Sequence, residues 1–201
     1  MAANPGRRAL IADTALEVLA ASGAGGLTHR VVDTAAGLPA GTTSNFFRTR
    51  LALLEAAALR MAELHWEHVT VVQEALKESP SPPAGRAGVA ATLAQLLVSD
   101  DPRARARNLA RIELFLEGQR WPQLRASLED VYAAAMRTAQ VVLDGAGVPA
   151  TPEQVHLLSR LLRGLMFDQL TVPGDALDAE AATELVGALL AVVLGEPGPD
   201  G

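Results

Sequence analysis

A chain of 201 residues is long enough to bury roughly 70% of its unfolded surface, in one or two domains. It contains no cysteine, which excludes a disulfide framework, a thiolate zinc site and a cysteine nucleophile. It is 49% hydrophobic with a net charge of −6, yet no apolar run approaches the ~20 residues of a membrane span. The opening stretch MAANPGRRAL has two arginines but no clean apolar segment before Asp13, so no signal peptide is expected and a cytoplasmic location is.

Caps, stops and apolar stripes predict an all-α chain of about nine helices. The first has Asn4 as N-cap, Pro5 at its first position and Gly23 as a left-handed stop. Ile11, Ala15, Val18 and Leu19 form its inward stripe. Arg7 and Arg8 lie in the first turn, where the macrodipole disfavours them, so they either serve something outside the helix or are simply solvated.

The run from Thr28 to Leu54 predicts two short helices joined by a tight turn, with a third starting as the second ends. Thr28 is the N-cap; Val31, Val32, Ala35 and Ala36 follow at helical spacing; Gly37 ends the helix in the left-handed conformation. Pro39 suits the first turn of the next helix, expected over about Pro39 to Phe47. That helix carries only small or polar groups until Phe46 and Phe47. It is too short to stand alone in water, so something must compensate for displaying Thr, Thr, Ser and Asn outward. A helix-turn-helix, its second helix pinned at the far end and its front half in a DNA major groove, is the economical explanation.

The turn Ala36-Gly37-Leu38, the pair Gly41-Thr42, the closing Phe46-Phe47 and the following Arg48-Thr49-Arg50-Leu51-Ala52-Leu53-Leu54 resemble the DNA-binding segment of the TetR family of bacterial transcription regulators. The resemblance covers about a quarter of the chain. The position four before Gly37 is usually Ala in the family and is Asp33 here, and Ser44 replaces a common Tyr. Asp33 is expected to point sideways or to pair with Arg30. What the resemblance implies is a helix-turn-helix domain at residues 1–50 and a ligand-binding and dimerisation domain at 51–201, linked by helix 4 at about 49–78. The protein would be a homodimeric repressor, not an enzyme, with no cofactor or metal, bound to a palindromic double-stranded operator and released by a small apolar or amphipathic effector.

In such an arrangement Ala40, Thr42 and Thr43 are best placed for base edges, and Asn45 has the amide to read adenine or the reach to touch phosphate. Thr28, His29, Arg30, Ser44, Phe46, Arg48 and Arg50 would position the DNA backbone. The position matching Arg7 and Arg8 reaches phosphate in the family. Phe47 is expected in the core and Phe46 at the rim. Residues 1 to 50 carry +2 and the remainder −8, so the local field favours DNA only modestly.

Helix 4 has Thr49 as N-cap and a stripe of Leu51, Leu54, Ala58, Met61, His65, Val69, Val72 and Leu76. Ser79 to Gly85 is a proline-rich loop. Helix 5 is expected over about Arg86 to Val98. Helix 6 is opened by Asp101-Pro102 and buries Leu109, Ile112, Phe115 and Leu116, and helix 7 runs from Pro122 to Asp144. Thr151-Pro152-Glu153-Gln154 is a capping box opening helix 8, and helix 9 covers about Asp178 to Leu194. Leu157, Leu158, Leu161, Leu162, Leu165 and Met166 cover half of helix 8, more than the stripe a monomer's surface helix needs. The expected dimer face is Leu158, Leu161, Leu162, Leu165, Leu185, Leu189 and Val192; the alternative is a helix buried within its own domain.

His65, Trp66, Glu113, Phe115, Met136, Phe167 and Asp168 are the candidates for an effector pocket, a few polar groups in an apolar setting. His65-Trp66-Glu67-His68 places two histidines at i and i+3, but zinc chemistry wants i, i+4 and a third ligand that is not evident. An all-helical hydrolase using Glu113 and His65, or an adaptor for other proteins' helices, are the alternative functions; neither accounts for the polar front of the third helix.

Overall fold

The computed structural model of the protein describes residues 5–80, 82–98, 101–172 and 177–195, and among them every regular element is a helix. They are α1 (Pro5–Gly26), α2 (His29–Ala35), α3 (Thr42–Phe46), α4 (Arg50–Glu78), α5 (Gly85–Leu97), α6 (Pro102–Arg120), α7 (Arg125–Gly145), α8 (Pro152–Thr171) and α9 (Ala179–Leu194). The expected cap at Asn4, loop residue Ser81 and tail from Glu196 lie outside the described residues.

Most helix ends follow from local chemistry. The hydroxyls of Thr28, Thr49 and Thr151 and the carboxylates of Asp101 and Asp178 each accept a backbone N–H of the first turn they open. Gln154 completes the capping box by accepting from Thr151 N–H at 2.8 Å. Gly23 has φ of 65°, so the helical stretch from Pro5 breaks where expected, and a single further turn leads to Leu27. Two proline readings are corrected. Pro39 lies before α3, in a turn whose N-cap is Gly41, and Pro122 opens a short 3₁₀ turn (Pro122–Leu124) ahead of α7.

The chain divides into two compact units that interleave in sequence. The first comprises residues 1–64 and 101–132, so it holds α1 to α3, the front of α4, α6 and the start of α7; the second holds the rest. In the first unit α1 packs on α6 and α2, around fully buried Ile11, Leu19, Leu27, Leu53, Leu54, Met61, Leu114 and Leu124. Each of these side chains contributes roughly 1.5–3 kcal/mol by leaving water.

The face of α6 turned into this core is not the one its leucines suggest. Ala110, Arg111, Leu114, Glu117 and Gly118 are buried, while Leu109, Ile112 and Phe115 are half-buried and Leu116 is exposed. That face carries buried Arg111 and Glu117 beside Ala110, Leu114 and Gly118, which an apolar count cannot register.

In the second unit α5 packs on α8 and α9, and α8 on α9. Val89, Leu93, Val142, Val155, Leu158, Val186 and Leu190 form its core. The carboxyl end of α9 is tied back by Gln154, whose Nε2 donates to Val193 O at 3.2 Å, and by the Arg86 guanidinium on Gly195 O. Among the described residues no helix is long and apolar enough to cross a membrane.

Candidate functional site

α3 is five residues of Thr, Thr, Ser, Asn and Phe, none a strong helix former. Only Thr43 of them is fully buried, so the helix has little grip of its own. Its neighbours hold it at both ends. At the carboxyl end Phe47 is in the core and Phe46 half-buried beside it, as expected. Arg8 reaches over from α1, its guanidinium 4.5 Å from the Phe47 ring centre and its Nη1 donating to Phe46 O at 3.4 Å. His29 Nε2 lies 2.6 Å from Phe47 O.

At the amino end the holder is Asp33, and sequence reasoning missed it. The side chain is 3% exposed and turned toward α3, neither sideways nor onto Arg30. Its Oδ2 accepts from Gly41 N–H and its Oδ1 from Thr43 N–H, both at 2.7 Å. Burial pushes this carboxyl's pKa up, but the Thr43 side chain and backbone, the Gly41 N–H and nearby His29 together pull it below the usual aspartate value. The Thr43 hydroxyl lies against the carboxylate, close enough to favour its charge, without meeting full hydrogen-bond geometry. The signal available in the sequence was an acid where the resembling family has Ala, followed by a turn of Pro39, Ala40 and Gly41 with no capping side chain.

These contacts re-sort the predicted DNA-facing residues. Thr43, expected at base edges, is 0% exposed and cannot reach them. Thr43→Val is therefore expected to leave DNA sequence preference unchanged and stability within about 1 kcal/mol of wild type, because a buried hydroxyl without a full partner gains little. Thermal melting and selection from random DNA check this; a changed preferred sequence would restore Thr43 as a reader.

Ala40 and Asn45 are exposed, and Thr42 and Ser44 half-exposed. The Thr42 hydroxyl donates to Pro39 O at 2.6 Å and that of Ser44 to Gly41 O at 2.9 Å, leaving their lone pairs outward as acceptors. Thr28 is occupied as the N-cap of α2, and Arg8 and His29 as holders of α3. Arg7, Arg30 and Arg48 are exposed and form no ion pair among the described residues.

Arg50, expected on phosphate, is engaged within its own unit, with its side chain still 40% exposed. Its Nη2 donates to Ala24 O at 2.7 Å and its Nη1 pairs with Glu117 at 3.2 Å. Glu117, 4% exposed, also accepts from Arg120 at 2.6 Å and from Trp121 Nε1 at 3.2 Å. Glu113, expected in an effector pocket, instead accepts from Ala24 N–H at 2.8 Å. The Ala24 peptide is thus gripped on its N–H by α6 and on its C=O by α4, which fixes the turn between α1 and α2.

The other pocket candidates are not all brought together. Phe115 packs on the core of the first unit with Glu113, whereas His65, Trp66, Met136, Phe167 and Asp168 belong to the second. Among the described residues no three His, Asp or Glu side chains group so as to hold a metal ion. The predicted dimer face also needs correction at one position. Leu158 is wholly buried in its own unit, as part of that unit's apolar core, and is not available to a partner. Leu161, Leu162, Leu165, Leu185 and Leu189 are half-buried, and Val192 is 77% exposed.

A family model described as "Tetracyclin repressor-like, C-terminal domain" matches residues 84–192, more than half of the chain. No curated protein matches. Among solved structures, the chain is similar to multidrug binding protein EbrR complexed with imidazole, at 28% identity and a TM-score of 0.65, over 98% of this chain and 94% of that one. It is also similar to a TetR-family member from Streptomyces coelicolor A3, at 28% identity and a TM-score of 0.66 over 92% and 98% of the two chains. A transcriptional regulator from Rhodococcus sp. Rha1 shares the fold at 20% identity, with a TM-score of 0.72 over 93% and 95%.

Proposed function

We propose, from the premise that this chain belongs to the TetR family of transcription regulators, that it represses transcription as a homodimer bound to a palindromic operator and lets go when a small molecule binds. TetR-family regulators bind DNA and small-molecule ligands and are transcription factors, not enzymes. The single observation that carries the DNA reading is α3: a polar helix held at both ends by α1 and α2, with Thr42 and Asn45 on it, and Ala40 in the turn before it, left open to solvent. These three are the proposed base readers; Ala40 offers a methyl to thymine, Asn45 a bidentate amide to adenine. Arg7, Arg30 and Arg48, uncommitted elsewhere, are the proposed phosphate contacts. A cytoplasmic location goes with this role.

The half-buried leucines of α8 and α9 with exposed Val192 support pairing of these two helices with those of a second copy, two recognition helices then lying roughly 34–36 Å apart, one DNA turn. The effector site is proposed within the second unit, with His65, Trp66, Met136, Phe167 and Asp168 as its candidate lining. The EbrR complexes with imidazole and ethidium support a small organic effector.

Selection of bound fragments from random DNA tests the whole reading: a two-fold symmetric sequence is expected, and failure to enrich any sequence would sink it. Within that assay Arg48→Ala should weaken binding to all sequences alike and reduce the magnitude of the salt slope by about 1. A loss confined to the selected sequence would place Arg48 among the base readers instead.

A further inference from the structure

We infer that Asp33 is the positioning residue for sequence reading in this protein: through two backbone amides, it sets where α3 presents its side chains to DNA. The inference rests on the DNA-binding reading above and deepens it.

The need for such a device follows from what α3 lacks. The first N–H groups of any helix have no partner within it, and something outside must accept them. In this chain the three residues ahead of α3, Pro39, Ala40 and Gly41, carry no side-chain oxygen or amide that could do so, and Gly41 is in the left-handed region with φ of 85°. Thr42 N–H finds Pro39 O at 3.1 Å, and Asp33 takes the N–H groups of Gly41 and Thr43, both at 2.7 Å. One carboxylate thus fixes two points at the amino end of a helix that buries only Thr43. Two points define a direction as well as a place, and direction is what aims Ala40, Thr42 and Asn45.

Asp33 is itself held rigidly. It sits in α2, whose start is capped by Thr28, and its own carbonyl accepts from Leu38 N–H at 2.8 Å, closing the turn. A free carboxylate at a DNA-facing surface would repel phosphate. Burying it and spending its lone pairs on amides removes that penalty while keeping the strength of a charged acceptor. Asp33 touches no base and no phosphate in this scheme; it acts through α3.

The test uses the full-length protein and two duplexes of equal length and composition, one selected by the wild type from random DNA and one scrambled. Asp33→Ala is expected to weaken the selected duplex at least tenfold per active molecule while leaving the scrambled one within twofold, so that the ratio of the two affinities collapses. Hydrogen exchange followed by NMR should show the Gly41 and Thr43 amides losing protection while the Ile11 and Leu19 amides keep theirs. Asp33→Asn retains one acceptor oxygen and should recover part of both; it carries the comparison if the alanine variant folds poorly.

Equal weakening on both duplexes would make Asp33 a stabiliser of the fold only and overturn the inference, as would an unchanged ratio with both amides still protected. If the wild type selects no DNA, the reading of the function fails and the inference with it. The exchange data, which need no DNA, then still report whether the carboxylate holds α3.

Discussion

Glu117→Ala is expected to destabilise the first compact unit by about 2–3 kcal/mol, seen as a fall of roughly 5–10 °C in melting temperature. The carboxylate is nearly sealed from water and accepts from Arg50, Arg120 and Trp121, so its removal strands three donors at once. A fully buried pair broken on one side costs about 3–5 kcal/mol. Here the Arg50 and Arg120 side chains are 40% and 70% exposed and can turn to solvent, which lowers the figure. Burial alone would raise the Glu117 pKa, but the Arg120 and Arg50 hydrogen bonds, the Arg50 charge and the Trp121 N–H outweigh it and hold the value below the ordinary 4.5. The unfolded chain therefore protonates this group first as pH falls. The stability that Glu117 contributes is complete above about pH 4.5 and is lost as pH drops through its lower folded value. Glu117→Gln should lack that acid-sensitive part while retaining some of the hydrogen bonding. A Glu117→Ala melt within a degree of wild type would mean that the network is solvated and idle.

Val192→Glu is expected to turn the proposed dimer into monomers with no loss of fold. Val192 is 77% exposed on α9, so a carboxylate there costs the isolated chain almost nothing. In the proposed pairing of α8 and α9 with a second copy it would be carried, charged, into an apolar contact, where an unpaired ion is expensive. Losing the second half-site removes the gain of linked binding, typically 10²–10⁴-fold, so operator affinity should fall by about that much. Sedimentation velocity separates the outcomes: an unchanged sedimentation coefficient at assay concentration would move the dimer face elsewhere.

What could be read in advance, and what could not, divides along a physical line. Caps and stops are local: Thr28, Thr49, Asp101, Thr151 with Gln154, and Asp178 each bond within their own first turn, and Gly23, Gly37 and Gly195 take the left-handed backbone that ends a helix. Such bonds leave their mark in residue order, so the helix succession was legible, as was the run from Ala36 to Phe47. The acids were not. Asp33, Glu113 and Glu117 each bond to an amide or guanidinium group 8 to 89 positions away, Glu117 in addition to its helix neighbour Arg120 and to Trp121, and nothing in a charge's neighbours along the chain separates a solvated carboxylate from a buried one. Missing these bonds had four consequences. It offered Glu113 to a pocket and Arg50 to phosphate, it gave Thr43 an outward hydroxyl, and it turned α6 by its leucines.

The interleaving of the two units bears on how the protein is made and how it can be cut. Half of what grips the turn after α1 comes from α6, more than eighty residues downstream, so a ribosome must release the chain past residue 120 before the reading head can set. A gene fragment ending at residue 64 would encode α1, α2 and α3 with Arg50 and Ala24 bereft of their acids. Grafting such a fragment onto a foreign effector module would transplant the recognition surface without its foundations, and a working chimera has to bring residues 101–132 along with it.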